Sequence, residues 1–131
     1  MEPEVKQFAD AVGAIAPQAG DPLYHQFTQI FRRQSYFILD NKLAIIKISR
    51  TTRPFWGLTK TYVDMLNNAD NYLLILLTSA KEGYCFAKAE INRNIESGRW
   101  GLTKGQYKIN PPLPDRNSFY STDNFLKKHR C

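Results

Sequence analysis

The feature of this sequence that most constrains its fold is an unbroken apolar run, Tyr72 to Leu77. A strand that is apolar at every position has to be covered on both faces, as the central strands of α/β sheets are. The run is far shorter than the ~20 residues that a membrane-spanning helix needs. The sequence therefore predicts a sheet packed between two layers.

A β-hairpin is predicted upstream of this run. Residues 35–39 and 43–49 are strand-like, and Asp40-Asn41-Lys42 between them has the composition of a tight turn. Because side chains alternate along a strand, Lys47 falls on the same face as Leu43 and Ile45. We therefore expect Lys47 to be at least partly buried.

Apolar residues at helical spacing surround the predicted strands. They predict helices at about 3–16, 21–31, 57–67 and 90–97, with a further strand at 84–87. This order favours an α/β (or α+β) fold, in which a small sheet of about four to five strands contains the β-hairpin and is flanked by helices. We expect one globular domain, 1–131. Its parts are an N-terminal helical segment (about 3–30), an α/β core (about 32–97) and an irregular, proline-rich C-terminal segment (about 98–131).

Positive charge is concentrated in the middle of the chain. The whole sequence carries a net charge of +6, and residues 31–60 contain seven lysines and arginines against Asp40 alone. Such a block either forms solvated strand ends or attracts polyanions such as nucleic acids. The start of the chain is acidic and lacks the basic-then-apolar order of a signal peptide, and only two cysteines are present. These features predict a cytoplasmic protein with no membrane partner.

The central part of the chain, from about 35 to 95, resembles the PD-(D/E)xK restriction-endonuclease-like fold. In that family a lysine on the second hairpin strand is followed by a helix and an apolar strand, and Lys47 matches that lysine. The resemblance implies a restriction-endonuclease-like core. However, Ile45 stands where the second acid belongs, and Ser35-Tyr36 stands about where proline and aspartate belong. Since two carboxylates are needed to hold the Mg²⁺ that activates water, the resemblance implies a degenerate nuclease site.

The first functional hypothesis is a non-catalytic nucleic-acid-associated protein. In this hypothesis basic side chains hold the phosphates of DNA or RNA, and an aromatic ring, that of Trp56 or Phe55, stacks on unpaired bases. The predicted contact residues are Arg33, Lys47, Arg50, Arg53 and Trp56. The sequence offers no catalytic residue, metal ligand or cofactor motif, so it favours a binding protein over an enzyme.

Two alternatives stay open on the same predicted fold. A protein–protein interaction module or regulatory subunit would dock its partner on aromatic residues of the C-terminal segment, which are Trp100, Tyr107, Phe119 and Tyr120. A metal-dependent nuclease would need Mg²⁺ and relocated acids, for which the candidates are Glu4, Asp40 and Asp64.

The pentapeptide Trp-Gly-Leu-Thr-Lys occurs twice, at 56–60 and at 100–104. The sequences that flank the two copies do not match, and half of this chain is too short to form a domain. The favoured interpretation is therefore a coincidence or a pair of surface loops. In the alternative, Trp56 and Trp100 form an exposed platform that stacks on bases or on a partner.

Overall fold

Two β-sheets and four α-helices make up the part of the chain that this computed structural model describes, residues 2–21, 24–25 and 36–129. The helices are α1 (Pro3–Val12), α2 (Lys60–Leu66), α3 (Lys88–Glu96) and α4 (Thr122–His129). The strands are β1 (Tyr36–Leu39), β2 (Lys42–Ile48), β3 (Trp56–Thr59), β4 (Tyr72–Leu77), β5 (Gly83–Ala87), β6 (Leu102–Thr103), β7 (Gln106–Ile109) and β8 (Ser118–Phe119).

The larger sheet has five strands in the order β1-β2-β4-β5-β8. Strands β2 and β4 run parallel, whereas the other neighbouring pairs are antiparallel. The parallel pair needs a crossover connection, which β3 and α2 supply. All six residues of β4 are buried. The mixed α/β class, the strand number and the central position of the apolar run are thus confirmed.

The predicted hairpin is formed by β1 and β2. Leu39 pairs with Lys42, so the turn consists of Asp40 and Asn41, whose φ angles are +50° and +65°. Two successive positive φ angles define a type I′ turn, whose twist matches that of the strands it joins. The resulting register places Tyr36 opposite Ile45.

Apolar side chains cover both faces of the larger sheet, as predicted. On one face α1 and α4 contribute Val5, Phe8 and Phe125 to a core cluster with β-strand residues. The rings of Phe8 and Phe125 meet edge to face, with centroids 5.1 Å apart. On the other face a second cluster joins the larger sheet to the smaller sheet, α2 and α3, the last through Ile91. This burial provides the hydrophobic stabilisation of the fold.

The smaller sheet, in the order β3-β7-β6, was not predicted. The sequence predicted a helix from residue 57, but this helix begins only at Lys60, because the preceding residues pair with β7. Trp56 and Leu58 are 2% and 1% exposed, and they alternate inward as strand residues do. The helix prediction was therefore wrong over 57–59.

Both copies of the pentapeptide repeat lie in this smaller sheet, on either side of β7. In the first copy Leu58 pairs with Tyr107, and in the second Leu102 pairs with the same residue. The two copies therefore share one register and run parallel to each other. They are not surface loops. Since both tryptophans, at 56 and 100, are only 2% exposed, they offer no stacking platform.

The C-terminal segment is more regular than its composition suggests. Residues 98–129 supply three strands, a 3-10 turn (Asp115–Asn117) and α4. Of the four aromatic residues predicted to form a docking surface there, only Tyr120 is exposed, at 72%. The other three contribute to the core, so the surface for that alternative is small.

Other differences are local. Helix α1 ends at Val12, before the predicted residue 16, because Gly13 has φ +81°, the left-handed conformation typical of a helix end. The predicted second helix from residue 21 and the start of the strand near Arg32 lie largely outside the described residues. None of the helices in the described ranges is both long and apolar enough to cross a membrane.

Candidate functional site

The loop that follows β2 is built around the buried side chain of Ser49. The Ser49 N–H donates to the carbonyl of Leu77, at 3.0 Å, and its hydroxyl oxygen accepts from the Phe55 N–H, at 3.1 Å. The Thr51 hydroxyl lies 3.1 Å from that of Ser49 and donates to the Arg53 carbonyl, at 2.7 Å. These bonds fix the loop at the carboxyl ends of the parallel strands β2 and β4, an edge where ligands often bind in α/β sheets.

The adjacent aromatic residues Phe55 and Trp56 have opposite environments. Trp56 is 2% exposed, and its Nε1–H donates to the Leu77 carbonyl at 3.2 Å. Its ring also meets that of Tyr84 edge to face, at 6.2 Å. Phe55, by contrast, is 44% exposed. Of the two rings that the sequence proposed for base stacking, only that of Phe55 is therefore accessible, and Trp56 has a structural role.

A basic side chain that the sequence analysis missed lies over the exposed ring. The Nζ of Lys108, on β7, is 5.5 Å from the centroid of the Phe55 ring, a distance at which an ammonium group is attracted to the face of an aromatic ring. Gln106 Oε1 accepts a hydrogen bond from this Nζ at 3.1 Å and so holds it in place. Lys108 lies 53 residues along the chain from Phe55, and no local sequence pattern relates the two.

Arg53 lines a cavity of about 340 Å³ beside this ring, together with Pro54, Asn110 and Pro111. The Arg53 side chain is exposed and forms no hydrogen bond or ion pair with any residue in the described ranges. Its guanidinium group is therefore available to a ligand. Arg53, Phe55 and Lys108 together form what we call the loop site.

Arg50 has a different role from the one predicted. Its Nε and Nη2 donate to the two carboxylate oxygens of Glu4, at 2.9 and 2.7 Å, in a bidentate ion pair that ties the loop to α1. The Arg50 guanidinium holds the pKa of Glu4 at about 2. A phosphate would have to displace this carboxylate, so Arg50 is a tether between two elements. Glu4, one of the proposed relocated acids, is engaged in the same contact.

Lys47 is half-buried, as predicted. It lies in one row across the sheet with Leu76 and Tyr84, on the face that the smaller sheet covers. Burial lowers the pKa of its ammonium group, and the negative charge of Glu2 partly opposes this effect. Among the described residues no acceptor forms a hydrogen bond with its Nζ. Lys47 is therefore only partly accessible, whereas the Phe55 ring is exposed.

The two positions at which the resemblance expects acids are both in the core. Tyr36 and Ile45 are cross-strand partners, 3% and 1% exposed. Of the relocated candidates, Asp64 pairs with Lys60 at 2.7 Å, and Asp40 lies in the hairpin turn. Within the described parts of the chain no three His, Cys, Asp or Glu residues come together in a way that could hold a metal ion.

Of the four predicted contact residues that the structure describes, only Arg53 is an exposed cation without an ion pair or hydrogen bond to another described residue. Arg33 lies outside the described residues. In comparisons with known proteins, no protein-family model, curated protein or solved structure matches this chain.

Proposed function

We propose that this protein binds single-stranded nucleic acid at the loop site and does not cleave it. The observation that carries the proposal is the exposed ring of Phe55, with Lys108 over its face and the unpaired Arg53 beside it. An exposed aromatic ring flanked by cations is the arrangement with which proteins hold unpaired bases and their phosphates.

The proposal favours single strands over duplexes for a geometric reason. A base can stack on a side chain only when it is unstacked from its neighbours, as it is in single strands and loops. Arg53 and Lys108 would neutralise phosphates, and the net charge of +6 on the whole chain would raise the local concentration of polyanions. No base-specific hydrogen bonding is required, so the expected sequence preference is weak.

The proposal keeps the restriction-endonuclease-like scaffold as its structural hypothesis. What supports it is the hairpin register, in which the two positions expected to be acidic, 36 and 45, lie directly opposite each other with Lys47 on the same face. Two carboxylates at these positions would converge on one point. With tyrosine and isoleucine there, these two positions supply no carboxylate for Mg²⁺, and hence we infer binding without hydrolysis. We place the protein in the reducing cytoplasm, since two cysteines are too few for a disulfide framework.

The test is fluorescence anisotropy with labelled single- and double-stranded DNA and RNA across a salt series, with Mg²⁺ and Mn²⁺ in parallel cleavage lanes. We expect single strands to bind more tightly than duplexes at about 0.15 M salt, and no cleavage. Arg53→Gln should weaken binding and reduce the slope of log K against log salt by about 0.7, the value for one lost phosphate contact on a single strand.

The matched control is Lys127→Gln, which removes one positive charge from an exposed position on α4. It should leave both the affinity and the slope nearly unchanged. Loss of all binding at about 0.15 M salt, or equal effects of the two substitutions, would reject the loop site and leave only a general effect of net charge. Metal-dependent cleavage would instead favour the nuclease alternative.

A further inference from the structure

A second cavity, of about 310 Å³, lies between α3 and the 3-10 turn at Asp115–Asn117. It shares no lining residue with the loop site. Its lining includes two buried residues, Phe86 and Asn117, which are 1% and 3% exposed. The Phe86 ring is held edge to face by Trp100, at 5.1 Å. Its volume is at the lower end of the range for small-molecule sites.

Three exposed arginines surround this cavity, Arg93, Arg99 and Arg116. The one acid in its lining is Glu90, whose Oε1 already accepts from the Ala87 N–H at 3.0 Å. Arg116 forms a long ion pair with this residue, with 3.8 Å between its Nε and Glu90 Oε2. The side chains of Arg93 and Arg99 form no ion pair or hydrogen bond within the described part of the chain. The cavity lining therefore carries three positive charges against one negative charge, and the guanidinium groups of Arg93 and Arg99 are available to bind an anion.

The buried amide of Asn117 supplies a second, independent observation. Its Nδ2 donates to the Cys85 carbonyl at 2.9 Å and to Glu90 Oε2 at 2.8 Å. Both partners are acceptors, so the amide cannot be turned round, because that would set its oxygen against two other oxygens. The Oδ1 is then buried without a hydrogen-bond donor among the described residues. A buried acceptor of this kind requires a donor.

We infer that this cavity binds a small phosphomonoester that also carries a hydroxyl or amino group. The arginines would take the phosphate in bidentate hydrogen bonds. The hydroxyl or amino group would donate to Asn117 Oδ1 once the side chains that cover this atom move aside, and the carbon skeleton would pack at the Phe86 end of the cavity. Inorganic phosphate could bind only to the arginines, and an uncharged sugar could bind only at Asn117.

The experiment is isothermal titration of the full chain with ribose 5-phosphate, inorganic phosphate and ribose. We expect ribose 5-phosphate to bind about tenfold or more tightly than either of the other two. The double variant Arg93→Gln/Arg99→Gln, at two exposed positions, should weaken its binding by at least about tenfold. A substitution of Asn117 would also break two structural hydrogen bonds. The contact between Asn117 and the ligand is therefore tested by NMR on the wild-type protein. The Asn117 side-chain amide resonance should shift with ribose 5-phosphate and not with inorganic phosphate.

The two sites can be separated with one further variant. Arg53→Gln, in the loop site, should leave ribose 5-phosphate binding unchanged while it weakens the binding of single-stranded DNA. The inference is overturned if ribose 5-phosphate shows no saturable binding, if the double variant binds it as tightly as the wild type does, or if the Asn117 resonance stays in place. None of these results depends on whether nucleic acid binds at the loop site.

Discussion

Substitution of the adjacent residues Phe55 and Trp56 separates a binding role from a structural one. Phe55 is 44% exposed, so Phe55→Ala removes an accessible ring and little of the core. Stacking of a base on an aromatic side chain contributes about 1–3 kcal/mol, so the Kd for single-stranded nucleic acid should rise by about 5- to 150-fold. The free energy of unfolding should fall by about 1 kcal/mol, because the ring is partly buried and contacts Lys108.

Trp56→Phe should instead lower the stability of the protein and leave its affinity for nucleic acid unchanged. It removes the hydrogen bond from Nε1 to the Leu77 carbonyl, but that carbonyl still accepts from the Ser49 N–H and is not left unsatisfied. The lost bond accounts for about 1 kcal/mol and the missing ring atoms for about 1–2 kcal/mol more. A total of about 2–3 kcal/mol corresponds to a fall in Tm of roughly 6–15 °C for a chain of this size.

Urea unfolding and anisotropy, both measured well below the lower Tm, test this pair. The control is Tyr120→Ala, which removes an exposed aromatic ring outside the loop site and should change neither quantity. The reasoning fails if Phe55→Ala binds single strands as the wild type does. It fails equally if Trp56→Phe lowers affinity without lowering the Tm, because Trp56 would then contact the ligand.

Three further perturbations test the fold and its charges. A Cβ on Gly83 would collide with a backbone carbonyl of β4, so Gly83→Ala should lower the free energy of unfolding by about 1–3 kcal/mol in urea titrations. Burial raises the pKa of Tyr72 to about 12, whereas an unfolded tyrosine ionises near pH 10, so stability should fall between pH 10 and 12. Tyr72→Phe should show a smaller fall there, and at pH 7 it should cost about 1 kcal/mol for the lost hydrogen bond to Asn67. Glu4→Gln should release Arg50 to contact phosphate, which would be seen as a salt slope steeper by about 0.7 in single-strand binding.

The parts of the fold that the sequence predicted are those with local signals. The hairpin turn needs two residues that tolerate positive φ, and Asp40-Asn41 supplies them. The central strand β4 was predictable because its six residues are all apolar. Both signals are contained within a few residues, so no knowledge of the rest of the chain was needed.

The errors arose where distant parts of the chain decide the structure. Residues 57–59 have an apolar pattern that suits a helix or a strand, and pairing with β7, about 50 residues later, selects the strand. The same pairing determines which of two adjacent aromatic rings is buried, because a shift of one residue would exchange their faces. Likewise, the sequence could not show that Arg50 is bound to Glu4, 46 residues away.

The cavity surrounded by three arginines was missed for a similar reason. Arg93, Arg99 and Arg116 span 24 positions of the sequence and form no recognisable motif. They meet because the 3-10 turn packs beside α3, where Asn117 binds Glu90. The sequence could reveal this cluster only if the position of the turn against α3 were already known. That position depends on the pairing of β8 with β5.

The repeated pentapeptide links the smaller sheet to the loop site, although its two copies have different roles. A Cβ on Gly57, in the first copy, would lie 2.6 Å from Gln106 Oε1, whereas a Cβ on Gly101, in the second, would meet nothing within 4 Å. The missing side chain at Gly57 therefore leaves room for Gln106, which holds Lys108 over the ring of Phe55. A side chain at position 57 would displace the end of Gln106, whereas one at position 101 would displace nothing. The same five residues thus support the loop site in one copy and form an edge strand in the other, and what distinguishes the copies is their neighbours in the sheet.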